Sequence, residues 1–121
     1  MILPTEFAIE DAPLHGAPGV RLHGELDLAA APPLSDALDD HIRDSAGAFV
    51  VDLSAVEFLD SSTLSVLLRA RALLGREGRD LALVCPPGPI RRVFELTGVS
   101  DLFALFGSRE AAAAALVPSE A

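Results

Sequence analysis

Phe49-Val50-Val51-Asp52-Leu53-Ser54-Ala55-Val56-Glu57-Phe58-Leu59-Asp60-Ser61-Ser62-Thr63-Leu64 decides the fold. The run Ala48–Leu53 is short, apolar and rich in valine, the pattern of a buried strand. From Leu64 to Glu77 the period changes. Val66, Leu67, Ala70, Leu73 and Leu74 cover a broad apolar arc, and Ser62, Ser65, Arg69, Ala72 and Arg76 recur at spacings of three and four on the opposite stripe. The reading is a strand that ends near Leu53, a turn rich in hydroxyl groups, and a helix that begins near Ser62 and closes at Gly75 and Gly78.

Working outward, the same change of period repeats. Upstream, Phe7–Ile9 is a short apolar run ended by Glu10 and Asp11, Pro13–Gly19 reads as a turn, and Val20–Leu26 alternates as a half-buried strand. Together they predict an opening hairpin. Leu28–Ser45 follows as an amphipathic helix, with Leu34, Leu38 and Ile42 at intervals of four. Pro32 and Pro33 sit near its start, where a missing N–H is harmless, and Gly47 ends it. Downstream, Asp80–Cys85 is a second buried strand and Pro86-Pro87-Gly88 a turn. Pro89–Thr97 is a short helix with Ile90, Val93 and Phe94 inward and Gly98 as its cap. Leu102–Phe106 is a last strand, and Arg109–Leu116 an Ala-rich helix. The order β-β-α-β-α-β-α-β-α predicts an α/β fold in which strands separated by helices run parallel. The opening hairpin makes the sheet mixed. Residues 1–121 fit one domain, with 1–18 expected as a loose arm or first strand.

Composition narrows the function. Half of the 121 residues are hydrophobic, enough for a core. Asp and Glu total 18 against 9 basic residues, all of them Arg, for a net charge of -9. That charge would repel nucleic acid and does not favour an anionic membrane. The longest stretch free of charged residues, Leu81–Ile90, is broken by three prolines, and a spanning helix needs about 20 apolar residues. The first basic residue is Arg21, so the start lacks the charged region of a secretion signal. A cytoplasmic location is expected, consistent with one cysteine, Cys85, set in an apolar run as a small buried hydrophobe. Neither Cys85 nor His15, His23 and His41 have metal-ligand spacing, so no metal and no cofactor is expected.

The turn before Ser62 holds the chemistry. A helix start leaves backbone N–H groups unpaired and carries a partial positive charge, so Asp60, Ser61 and Ser62 have a plain use as caps. A phosphoryl group on Ser61 would meet free N–H groups and a favourable dipole, and would add charge beside Asp60. The helix face through Ser62, Ser65 and Arg69 is a candidate contact surface.

These residues resemble a known family. Leu53-Ser54 through Phe58-Leu59-Asp60-Ser61-Ser62, followed by an apolar helix, is similar to the signature of STAS domains, and above all to bacterial anti-sigma factor antagonists. Gly24-Glu25-Leu26-Asp27 and Pro89-Ile90-Arg91-Arg92-Val93-Phe94-Glu95-Leu96-Thr97-Gly98 match in the family's order, so the resemblance runs from about Val20 to Leu116. It implies the STAS fold: a mixed four- to five-stranded sheet with about four helices packed mainly on one face. It also implies a binding protein, not an enzyme. The unphosphorylated form would bind an anti-sigma factor with serine kinase activity and free a sigma factor for transcription, in stress response or sporulation. Ser61 maps onto the phosphorylated serine, Asp27 onto the neighbouring loop aspartate, and a serine phosphatase would reverse the change. Asp27, Asp60, Ser62, Thr63, Ser65 and Arg69 are the expected partner-binding residues. Where many members carry Gly after the serine pair, this chain has Thr63, a branched side chain that either alters partner choice, fills a pocket or offers a third hydroxyl.

Other readings compete. A serine hydrolase would need an activating base, and no Gly-x-Ser-x-Gly elbow is present. Pro86-Pro87-Gly88-Pro89 is a rigid turn rather than a phosphate loop. A STAS-like scaffold or transporter-associated subunit that binds partners without being phosphorylated remains an alternative.

Overall fold

The computed structural model describes residues 7–116. In chain order the elements are β1 (Phe7–Asp11), β2 (Gly19–Leu26), α1 (Ala31–Arg43), β3 (Phe49–Leu59), α2 (Ser61–Arg76), β4 (Leu81–Val84), α3 (Pro89–Leu96), a 3-10 turn (Ser100–Leu102), β5 (Ala104–Phe106) and α4 (Arg109–Leu116). The five strands lie side by side in sequence order. β1 and β2 form the antiparallel opening hairpin, and every later neighbour is parallel. Each parallel pair needs a crossover, which α1, α2 and α3 supply.

The apolar stripes explain where the helices lie. Leu34, Leu38 and Ile42 of α1, Leu64, Leu67, Ala70 and Leu74 of α2, and Phe94 of α3 join Leu22, Leu26, Val51 and Leu53 in one core. Phe94 meets Phe103 edge to face at 5.5 Å. On the reverse face a smaller core gathers Val50, Ala82 and Val84 under Ala112 and Ala113 of α4, with Leu14 from the β1–β2 loop. Three helices therefore share one face, and α4 alone takes part of the other. Cys85 is fully buried, and burial pushes its thiol up to about 11, so it packs as a hydrophobe.

Of the two expectations for residues 1–18, a loose arm or a first strand, the described part forms the strand. β1 pairs with β2 from Phe7↔Gly24 to Asp11↔Val20. His23 bonds Glu10, and His41 of α1 bonds Asp11 at 3.0 Å, so both acidic residues at the end of β1 are held by histidines. The expected arm over residues 1–6 lies outside the described residues. Gly19, at the return of this hairpin, has no room for a side chain: a Cβ there would stand 2.8 Å from the Val50 carbonyl oxygen and 2.9 Å from that of Ala12. Gly19→Ala is expected to destabilise the fold by about 1–3 kcal/mol, read from the urea midpoint at unchanged slope.

β3 departs most from expectation. It does not end near Leu53 but runs to Leu59, and the turn shrinks to Asp60. Its register with β2 slips twice: Arg21↔Asp52 is followed by His23↔Ala55, and Gly24↔Val56 by Glu25↔Phe58. Each slip inserts one extra residue in β3, a β-bulge. Gly24, with φ of 91°, sits beside the second bulge in a conformation that favours glycine. Phe49, Val51 and Leu53 of β3 alternate inward, but from Leu53 on the inward residues, Leu53, Val56 and Leu59, are spaced by three rather than two. β4 pairs only as far as Asp52↔Val84, so β3 runs on past β4 as a ribbon with β2 that ends at Leu26↔Leu59, with β1 alongside β2 as far as Gly24.

Candidate functional site

The ribbon carries the site at its tip. Leu26↔Leu59 is the last pair, so Asp27 and Asp60 leave adjacent strand ends. Both aspartates shape the backbone that follows. Asp27 Oδ1 accepts from the N–H groups of Ala29 (3.0 Å) and Ala30 (3.3 Å), turning the chain into α1. Asp60 is the N-cap of α2: its Oδ1 accepts from the N–H of Ser62 at 3.0 Å and of Thr63 at 3.4 Å.

The three successive hydroxyls end up in three environments. Ser62 is half-buried and donates to Asp60 Oδ1 at 2.5 Å. Thr63 is fully buried, and its hydroxyl donates to the Leu26 carbonyl at 2.6 Å, pinning the first turn of α2 to the end of β2. Ser61 is exposed, and its hydroxyl has no partner among the described residues. Capping therefore accounts for Asp60 and Ser62 and leaves Ser61 unexplained.

Two expectations need correction. Thr63 is not a surface residue: it fills the interior and offers no hydroxyl to a partner. Thr63→Val should cost about 1–2 kcal/mol by orphaning the Leu26 carbonyl, seen as a lower thermal midpoint. The N–H groups expected to receive a phosphate are also taken, because the Asp60 carboxylate already occupies those of Ser62 and Thr63. A phosphoryl group on Ser61 would face a carboxylate instead.

Ser65 is exposed one turn further along α2 and lies on the Ser61 side of the helix. Arg69, also exposed, reaches across to α1, where it donates to both Asp39 oxygens (2.8 and 3.0 Å) and to Ser35 (3.0 Å). It braces α2 against α1 beside the candidate face.

Sequence reasoning missed the charge cluster that fixes β3. Asp52 is fully buried on the α4 face. Its Oδ2 accepts from Arg21 Nε at 3.2 Å and Arg109 Nη1 at 3.0 Å. Its Oδ1 accepts from the Ser54 N–H (2.9 Å) and hydroxyl (2.6 Å), which holds the first bulge. Burial would raise the Asp52 carboxyl, but the bonds from Ser54, Arg109 and Arg21 outweigh it and hold the group below its ordinary value. An Asp inside an apolar run was the available signal, since a buried charge needs partners. The exposure of Leu28 and Phe58, 72% and 47% at the ribbon tip, was also not expected from their apolar type.

A match to the STAS domain covers residues 11–112, nearly the whole described chain. The chain belongs to the STAS domain family. Among curated proteins this STAS domain is 32% identical over 108 residues to the anti-sigma-F factor antagonist RsfB of Mycobacterium tuberculosis, covering 89% of this chain and 88% of that one. It is 30% identical over 83 residues to the anti-sigma-B factor antagonist of Staphylococcus aureus, covering 69% and 77%. Among solved structures it superposes on an anti-sigma factor antagonist from Mycobacterium paratuberculosis with a TM-score of 0.84 at 33% identity, covering 93% and 96% of the two chains. Among the described residues no helix is long and apolar enough to cross a membrane.

Proposed function

We propose that this STAS domain is an anti-sigma factor antagonist whose binding is controlled by phosphorylation of Ser61. The observation that carries the reading is the exposure of Ser61, which alone of the three hydroxyls at the start of α2 is neither bonded nor buried. The names of its relatives supply the partner class. In its unphosphorylated form the domain binds an anti-sigma factor and so frees a sigma factor.

That anti-sigma factor is itself a serine kinase. The Ser61 hydroxyl oxygen bonds to the γ-phosphorus of ATP, the bond from that phosphorus to the bridging oxygen breaks, ADP leaves, and the hydroxyl proton passes to a base. Asp27, which leaves the adjoining strand end, orients the serine for the transfer. A serine phosphatase hydrolyses the ester with water, returning the hydroxyl and releasing inorganic phosphate. Ser62, Ser65 and Arg69 lie along the face that a partner seated on Ser61 would cover.

The test is phosphorylation with the kinase and ATP followed by site mapping by mass spectrometry. One phosphate on Ser61 is expected. Ser61→Ala should take none, and Ser62→Ala and Thr63→Val should still take one. Phosphorylation of Ser61→Ala at the wild-type rate would overturn the assignment.

A further inference from the structure

Leu28 and Phe58 are two of the four large apolar side chains exposed among the described residues, with Leu96 and Leu102. Large apolar side chains at that exposure are costly to leave in water, and single ones need no explanation, but these two bracket one site. Leu28 follows Asp27 in the turn towards α1, on the helix side of the sheet. Phe58 stands opposite Glu25 on the reverse face, which α4 covers only over Val50, Ala82 and Val84. Ser61 lies at the edge between them, since Leu59 beside Phe58 is the pair of Leu26.

The charged residues at the ends of β2 and β3 beside this pair are all acidic. Glu25, Asp27, Glu57 and Asp60 all belong to the ribbon tip. Glu25, Glu57 and Asp60 form no ion pair among the described residues. The first arginine along α2, Arg69, is two turns away and committed to Asp39. An apolar pair inside an acidic margin fits a counter-surface of the opposite pattern.

We propose that Leu28 and Phe58 are the two apolar anchors of the partner contact, one on each side of Ser61, and that the partner is a protein presenting an apolar saddle with a cationic margin. This rests on the function proposed above and specifies how its partner is recognised. Anchors of this kind carry most of an interface's affinity and act on dissociation, whereas margin charges act on the rate of encounter. The arrangement also explains why a phosphate would release a partner whose margin is cationic. The phosphate would sit between the anchors, in the part of the contact that must be dry, while the margin pairs stay in water and are screened.

The experiment is surface binding kinetics with the anti-sigma factor kinase that phosphorylates Ser61, using the full chain and its Leu28→Ser, Phe58→Ser, Ser61→Glu and Glu25→Gln/Glu57→Gln variants. Thermal unfolding serves as the folding control, and Leu28→Ser decides alone if Phe58→Ser is unfolded. Leu28→Ser and Phe58→Ser should each weaken binding by about 30-fold or more, through faster dissociation. Glu25→Gln/Glu57→Gln should slow association and flatten its salt dependence. If both serine variants bind within about threefold of wild type while Ser61→Glu still releases the partner, the anchors are wrong and the switch stands. If the wild-type chain binds no anti-sigma factor and Ser61 takes no phosphate, both fall.

Discussion

Asp52→Ala is expected to destabilise the domain by about 3 kcal/mol, among the largest effects of any single substitution here. The four bonds to Asp52 come from β2, from the β3 bulge and from the first residue of α4. Removing the carboxylate leaves Arg21 and Arg109 facing each other with no counter-charge and frees the Ser54 donors. Both arginines keep roughly a third of their side-chain surface in water, which places the cost at the lower end of the range for breaking a buried pair. Arg109 also donates to the Pro13 carbonyl at 2.9 Å, so the loss spreads to the packing of α4 and the β1–β2 loop.

The same cluster predicts an acid limb. The folded-state value of Asp52 is depressed. Its charge therefore adds stability that is fully present above the unfolded carboxylate value, near 3.9, and is lost as pH falls through the lower folded value. Urea denaturation from pH 6 down to pH 2 should show wild-type stability falling steeply below about pH 4. Asp52→Asn should start lower and fall less steeply. Parallel acid limbs for the two proteins would mean that the charge on Asp52 does not hold the cluster.

Replacing or modifying Ser61 should produce the largest effect on binding. A phosphate adds about -1.5 to -2 charges. Asp60 Oδ1 already fills the helix-terminal donors, and its other oxygen has no partner among the described residues, so the new charge meets a carboxylate at close range. Moving a complex from almost fully bound to almost fully free needs about 5.5 kcal/mol, or 10⁴-fold in affinity. A dianion that must lose its water inside a protein contact supplies an effect of this order. Ser61→Glu, with less charge, should weaken binding by about 100-fold, and Ser61→Ala should bind as wild type does. No refolding is involved, because Ser61 makes no internal bond whose loss would disturb α2. Circular dichroism of the phosphorylated chain should match that of the unmodified one.

Element order and class were legible because α1, α2 and the buried strands keep clean periods, and the motif around Asp60 marks the junction of β3 and α2. The extension of β3 was not legible. Two bulges set its inward residues Leu53, Val56 and Leu59 three apart, and a spacing of three contradicts the alternation by which strands are recognised. The fate of Thr63 depended on the Leu26 carbonyl, 37 residues away. One of the two arginines on Asp52, Arg109, is 57 residues away. Such pairings are set by which strands become neighbours, which local pattern does not encode. For the same reason the exposure of Leu28 and Phe58 could not be read from their type, which matches that of the core.

In the function proposed here, the charge state of one exposed hydroxyl decides whether this domain holds its partner. Titrating one anti-sigma factor with the unmodified chain and with the chain phosphorylated at Ser61 tests it directly. A loss of at least about 100-fold in affinity on phosphorylation is the predicted result. Equal affinity for the two forms, with the phosphate verified on Ser61, would contradict it.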